Sequence, residues 1–466
     1  MTALLFSNAT LPGSDDITRQ EFANGSVMLT RPNNSSPAVA IRGYLPPGSA
    51  AENPEKYGLA NFMTSMLMAG TSRHAFRELH DEIESMGASL SIGAGGLATS
   101  FAGQCLREDL SHFLKIIREV FSEPSFPAKQ FQRIKTQLLT VLAIQAQDTA
   151  AMADQAFDRA IYRDHPYAIP DLGFAPILQL ITREDLQEFH QRLMGPKGMV
   201  VAICGGVQPE EALEAYAQTL GAYENPNQQP QPDLPPVEPL RGIVRKHVLL
   251  EEKSQTDLVL GTFAPKTIGP DYLAAQLGNE ILGQFGMMGR IGEAVREKAG
   301  LAYYAQSELG SGLGPTTWQV FAGVNPKNLK KAIALILEEL KRFSTELVSE
   351  EELADVRSAL VGRLPLSLET NAGTASACAD HWRGVATLCH EVLHALVHPD
   401  FNAIDSRVSF PQVIREGFTE VLGAQLFNDR VLPNTRSLNS CAPSTSVNPS
   451  RMTCGQLTRP SMALKS

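Results

Sequence analysis

His390-Glu391-Val392-Leu393-His394 sets two imidazoles four residues apart with a carboxylate beside the first. On a helix that spacing turns both rings to one side. Two such rings can ligate one Zn²⁺, and Glu391 can act as general base on a zinc-bound water. The flanking residues have helical spacing: Val385, Leu388, Val392, Ala395 and Leu396 fall broadly on one side of 384–398. A third metal ligand would come from a later helix. Glu416, in Arg415-Glu416-Gly417-Phe418-Thr419-Glu420, is the leading candidate, ahead of Glu420 and His398. The same residues fit two other readings: a zinc site without turnover, or an ordinary amphipathic helix with two exposed His.

The elements that must position such a site belong to a chain of 466 residues, 43% hydrophobic and 19% charged. That composition supports a large buried core and excludes wholesale disorder. No apolar run is long enough to span a bilayer. The first residues lack the basic and apolar regions of a secretory signal. A formal charge of −10, with no basic block, argues against a nucleic-acid partner. The six cysteines show no CxxC spacing, so reduced thiols and a cytoplasmic location are expected.

Residues 225–239, rich in Pro, Gln and Asn, read as an extended linker between two bodies. The bodies look alike. Leu110, Phe113, Leu114, Ile117, Val120 and Phe121 repeat at helical spacing, and Pro124 and Pro127 separate that helix from a second one reaching residue 142. Residues 326–360 follow the same plan. Each helix pair follows two alternating, strand-like segments, 87–93 and 97–105 in one half and 301–309 and 316–324 in the other. Each strand pair follows a further helix, 58–69 or 271–284. This order predicts an α+β fold of two related domains. The Gly-rich stretches 93–96 and 310–314 lack a phosphate-loop frame and read as turns between strands. His165-Pro166-Tyr167 reads as a structural loop, and the methionines among 63–68 as core filler.

In this setting the helix Gly58–Thr71 resembles the insulinase/pitrilysin family of zinc peptidases. The family carries an inverted H-x-x-E-H motif on that helix. The matching positions here are Asn61, Thr64 and Ser65, which supply neither imidazole nor carboxylate. The family's third ligand, a downstream Glu, falls in Thr140–Gln147, which contains no acid; the nearest is Asp148. The second half is closer to the family pattern. Gly289–Tyr303 resembles the stretch that bears an Arg and a Tyr seven residues apart, here Arg296 and Tyr303, within a match that includes Lys298, Gly300 and Leu301. In the family these two help hold substrate and tetrahedral intermediate over the zinc of another half. A guanidinium and a phenol are strong donors to a developing oxyanion. The resemblance covers roughly residues 15–378.

The resemblance implies two insulinase-like domains forming a clamshell, 15–224 with its zinc motif lost and a truncated 240–378, hinged at 225–239. A helical H-E-x-x-H segment at 379–430, whose E-G-x-x-E context resembles gluzincin peptidases, and a disordered tail at 431–466 would follow. It also implies a subunit that is inactive alone. Such a subunit pairs as a heterodimer with a zinc-bearing insulinase-like homologue and lends Arg296 and Tyr303 to the hydrolysis of peptides. Zinc would then sit in the partner, or at His390, His394 and Glu416 if that motif works as a peptidase. A non-catalytic assembly protein is the third reading.

Overall fold

The computed structural model describes residues 16–267 and 269–382. The H-E-x-x-H segment and the C-terminal tail therefore lie outside the described residues, as do His390, Glu391, His394 and Glu416.

In the first half, β1 (Thr18–Glu21), β2 (Val27–Pro32), β3 (Ala38–Leu45), β4 (Ser89–Ala94), β5 (Thr99–Leu106) and β6 (Val200–Gly205) form one mixed sheet in the order β1-β2-β6-β3-β5-β4. β6 pairs parallel to β2 and antiparallel to β3. All six of its residues are buried, as its run of Val, Val, Ala, Ile and Cys requires of a strand covered on both faces. Val201 and Ile203 face a core filled by helices α1 (Leu59–Leu67), α2 (Phe76–Ser85), α3 (Leu110–Ser122) and α4 (Ala128–Gln145). The first half continues with α5 (Thr149–Ile161), α6 (Ala175–Leu180), α7 (Arg183–Leu193) and α8 (Pro209–Ala217).

The second half contains β7 (Thr256–Phe263), β8 (Ala302–Leu309) and β9 (Thr317–Val324) in the order β7-β9-β8, all antiparallel. Its helices are α9 (Tyr272–Asn279), α10 (Phe285–Gly292), α11 (Leu329–Thr345), α12 (Glu350–Leu368) and α13 (Asn371–Trp382). A buried knot centres this half. Trp318 Nε1 and Ser307 Oγ both donate to Asn279 Oδ1, at 2.8 and 2.7 Å. The Trp318 ring meets Phe343 of α11 edge-on, 6.4 Å between centroids.

The predicted order of helix, two strands and two helices is present in both halves, and the fold is α+β with two related domains. α3 starts at Leu110 and α11 at Leu329, each after a 3-10 turn. Gly95 and Gly96 lie in the turn joining β4 to β5, with Gly93 still in β4, and 310–314 lies in the turn joining β8 to β9. Met63 and Met66 lie fully in the core. Within 225–239, Gln228 is buried, accepting from Lys197 N at 2.9 Å and donating to Lys197 O at 3.0 Å. A glutamine that matches both peptide groups of one neighbour can be buried without an unpaired polar atom.

The halves exchange helices. α13 lays Ala375, Cys378 and Ala379 on Leu29, Ala40, Val200, Ala202 and Cys204 of the first sheet. Its Asn371 donates to Ala38 O at 2.9 Å and accepts from Asn33 Nδ2 at 2.7 Å. α5 reaches the other way, onto β7, where the Thr149 hydroxyl bonds to Asp257.

A charged cluster ties α2 to α3. His74 bonds Glu119 through Nδ1 and Glu82 through Nε2, both at 2.8 Å, and Glu82 also takes His112 at 2.8 Å. The Glu119 hydrogen bond, helped by Glu82 and Glu78, raises the His74 pKa above its ordinary 6.5. Stabilisation from a raised His pKa is fully present below about 6.5 and fades as pH climbs through the folded value. His74→Ala is therefore expected to cost roughly 1–3 kcal/mol in urea unfolding at mildly acidic pH. The difference from wild type should shrink toward pH 9; a cost independent of pH would mean the imidazolium is not what stabilises.

Candidate functional site

α1 carries the positions where the family's inverted zinc motif would stand. Its inward face, Phe62, Met63, Met66 and Leu67, is sealed in the core, and Phe62 stacks on Phe131 of α4 at 4.8 Å. Glu52 receives the first amides of the helix, Gly58 N at 2.8 Å and Ala60 N at 2.6 Å. Burial pushes its carboxyl up to about 8 against the pull of those two amides. Thr64 is 2% exposed and its hydroxyl turns back to Asn61 O at 3.0 Å, as that of Ser65 does at 2.8 Å. Hydroxyls satisfied by their own helix are poor ligands, and no carboxylate or imidazole joins them. Asp148, the nearest acid to the expected third ligand, caps α5 by accepting from Ala151 N at 2.7 Å. Among the described residues no three His, Cys, Asp or Glu side chains are grouped to hold a metal ion. The α1 site does not fit zinc.

Arg296 and Tyr303 lie on consecutive elements of the second half. Arg296 sits in a wide helical turn, Glu293–Lys298, that continues α10. That segment is aimed by a sharp break at Gly286–Gly289, where four residues leave helical geometry. Gly289 has φ +63°, and a Cβ there would fall 2.5 Å from Gly283 N, so only glycine fits. Beyond the break, Arg290 forks onto Glu352 of α12, Nε to Oε1 at 2.8 Å and Nη2 to Oε2 at 2.7 Å. Arg296 is partly exposed, and its ion-pair contact is with neighbouring Glu297 at 3.5 Å.

Tyr303 occupies a bulge in β8. Ala302 pairs with Val324 and Tyr304 with Gly323, so Tyr303 is the extra residue. The bulge turns it out of the sheet, and it is 84% exposed. Its neighbour Tyr304 points inward and donates to Asp257 Oδ1 at 2.5 Å. The clefts at the β8–β9 turn, beside α5 and around Arg290 are lined by neither Arg296 nor Tyr303.

The Arg290 contact lowers the Glu352 pKa to about 2, with Ser349 adding to it. A depressed carboxylate pKa stabilises above the ordinary value, 4.5, and is lost as pH falls toward 2. Glu352→Gln should flatten the acid limb of the stability profile between those values and leave neutral-pH helix content unchanged. An unaltered acid limb would show that this pair does not hold the Arg296-bearing turn.

Asp154 and Asp158 stand one turn apart on α5 and carry no motif that marks them in the sequence. Burial and Asp154 push the Asp158 carboxyl up to about 7, and Glu308 of β8 adds to burial at Asp154. Their only signal in the sequence was a four-residue spacing, which most surface helices also contain.

Comparison with known proteins gives the class. Residues 27–173 match the family described as Insulinase (Peptidase family M16), and residues 180–360 match the Peptidase M16 inactive domain. The chain belongs to the insulinase family, peptidase family M16. It is 23% identical over 346 residues to an uncharacterized zinc protease of Rickettsia bellii, covering 74% of this chain and 82% of that one. It is 24% identical over 400 residues to the mitochondrial-processing peptidase subunit beta of Saccharomyces cerevisiae, covering 82% and 83%. A crystal structure of a protease from Helicobacter pylori shares the fold at TM-score 0.78 and 19% identity, over 88% of this chain and 97% of that one. Zinc is thus a property named for relatives. No helix among the described residues is long and apolar enough to cross a membrane.

Proposed function

We propose that this chain is the non-zinc subunit of a two-subunit peptidase. In this reading it lends Arg296 and Tyr303 to peptide hydrolysis at the zinc site of an insulinase-like partner. The observation that carries it is Tyr303: a phenol 84% exposed on a bulge in β8, the strand that follows the turn bearing Arg296. An exposed aromatic ring with no hydrogen bond to its hydroxyl among the described residues is suited to a surface supplied by another molecule. The unsuitability of Asn61, Thr64 and Ser65 for zinc supports the division of labour. In the assembled pair the guanidinium would bind a substrate carbonyl, and both donors would strengthen their hydrogen bonds as that oxygen gains charge. The name of the yeast relative, a subunit of a processing peptidase, is in keeping with paired assembly.

A free strand edge supports a peptide as the substrate. β4 ends the first sheet, and its outer backbone groups have no strand partner among the described residues. An extended peptide can add there by main-chain hydrogen bonds.

The test is hydrolysis of a fluorogenic peptide by the purified full chain, by a family homologue with an intact H-x-x-E-H, and by their mixture, with metal analysis of each. Activity confined to the mixture, with zinc in the homologue, is the expected result. One zinc per chain, with activity of this chain alone lost in Glu391→Gln, would instead assign the chemistry to His390, His394 and Glu416. Stable association without hydrolysis would assign an assembly role.

A further inference from the structure

Cys105, Cys204 and Cys378 are free cysteines, all buried. We propose that Cys204 and Cys378 form an oxidation site, at which peroxide converts two thiols into a disulfide fastening α13 of the second half to β6 of the first. The pairing follows from two facing stripes. Along β6 the side chains alternate: Val201 and Ile203 enter the core under α1–α4, while Val200, Ala202 and Cys204 face α13. On α13, Ala375, Cys378 and Ala379 recur at helical spacing on the face that meets them. Cys105 of β5 belongs to the core on the other side of the sheet, so the sheet separates it from the pair.

The surroundings hold the two sulfurs together. Ala40, Ala202, Ala375 and Ala379 are small enough to let helix and sheet approach closely. A disulfide needs that, since its Cα atoms must lie within about 7 Å of each other. α13 is also pinned on either side of Cys378: Asn371 donates to Ala38 O at 2.9 Å, and Asp380 accepts from the Tyr44 hydroxyl. Between those anchors the two thiols are hydrogen-bonded to each other. Cys204 keeps its proton and donates it, so its pKa stands well above the ordinary thiol value, with burial adding to the rise. Accepting that bond lowers the pKa of Cys378. Arg31, opposite Cys204 in the β2–β6 register, lowers it further, against burial and Asp16. Oxidation needs this arrangement, a sulfur that reaches the thiolate and a thiol beside it.

The oxidant is hydrogen peroxide. The Cys378 thiolate attacks one peroxide oxygen; the S–O bond forms, the O–O bond breaks, and the departing hydroxide takes up a proton to leave as water. Cys204 sulfur then attacks the sulfenic sulfur of Cys378. The S–S bond forms, the S–O bond breaks, and the Cys204 proton leaves with that oxygen as a second water. Two electrons pass from the sulfur pair to one peroxide. Cys378 is 5% exposed and Cys204 1%, so reaction follows local opening of α13 rather than attack on the closed surface. Once formed, the bond makes the docking of α13 covalent. It closes a loop between positions 204 and 378 that contains the whole 225–239 linker, and α13 can no longer leave the first sheet. The site is independent of the subunit role proposed for Arg296 and Tyr303.

The test uses the unmodified full chain, reduced, then exposed to a small excess of hydrogen peroxide without denaturant. Remaining thiols are alkylated, and the digest is mapped by mass without reductant. A peptide pair joined through Cys204 and Cys378 is expected, and dithiothreitol should release it. In the oxidised chain, hydrogen exchange of the 371–382 amides should slow about tenfold or more relative to the reduced chain. Cys204→Ala should leave Cys378 as a sulfenic acid that dimedone labels, with no slowing of exchange. Cys378 joined to any other cysteine, or Cys378 carried to sulfinic acid while Cys204 stays alkylatable, would overturn the inference. So would both thiols remaining unoxidised at peroxide levels that oxidise the buried Cys105, or a 204–378 disulfide that leaves exchange of 371–382 unchanged.

Discussion

Arg296→Ala is expected to reduce peptide hydrolysis by the mixed pair by about 10²–10³-fold, the usual loss when one donor to a developing oxyanion is removed. The loss should fall mainly on kcat if the guanidinium acts on the transition state, and mainly on KM if it only holds the peptide. Tyr303→Phe deletes one hydroxyl from a ring already in solvent and should shift unfolding by no more than about 0.5 kcal/mol. Its effect on the mixture is therefore a clean reading of the phenol. Wild-type rates for both variants in the mixture, with association intact, would remove these residues from the chemistry. Tyr303 also shows why the sequence was a poor guide to presentation. Strand alternation alone leaves the facing of 303 and 304 open to a one-residue slip, and the bulge decides that Tyr303 faces out while Tyr304 bonds Asp257.

Trp318→Ala carries the largest expected effect on stability, about 3–5 kcal/mol in denaturant unfolding. The ring is 1% exposed, packed against Phe343, and its indole N–H is one of two donors meeting Asn279 Oδ1. Truncation opens a cavity at the centre of the second half, beneath β8 and the turn that aims Arg296. Trp318→Phe keeps most of the volume and should cost distinctly less. A loss below about 1 kcal/mol for Trp318→Ala would mean that this half contributes little to the cooperative unit.

The helix and strand pattern of 87–145 and 301–360 was legible because each element buries one face against a single core, so apolar spacing and burial coincide. Leu110, Phe113, Leu114, Ile117, Val120 and Phe121, read as one face, are all buried. β6 was invisible by the same logic: with both faces covered it has no alternation, and six apolar residues could equally be a helix segment. β2 and β3 were missed because both pair with β6, a strand some 155–175 residues further on. The exchange of α5 and α13 between halves leaves no local trace, since each helix buries its face against residues far away in the chain. For the candidate site, the sequence was informative about what α1 lacks. Asn61, Thr64 and Ser65 offer neither imidazole nor carboxylate to a zinc ion, whatever the backbone around them. It was silent on the break at Gly286–Gly289, which arises from close backbone approach rather than from a pattern.

One titration tests the division of labour between the two subunits most directly. A fixed amount of a family homologue carrying an intact H-x-x-E-H is mixed with increasing amounts of this full chain, and the initial rate of fluorogenic-peptide hydrolysis is followed. The rate should rise from near zero and level off at one chain per homologue, and the Arg296→Ala chain should compete for the same binding while leaving the rate near zero. A rate that is flat from the first point, or that grows in proportion to this chain with no homologue present, would contradict it.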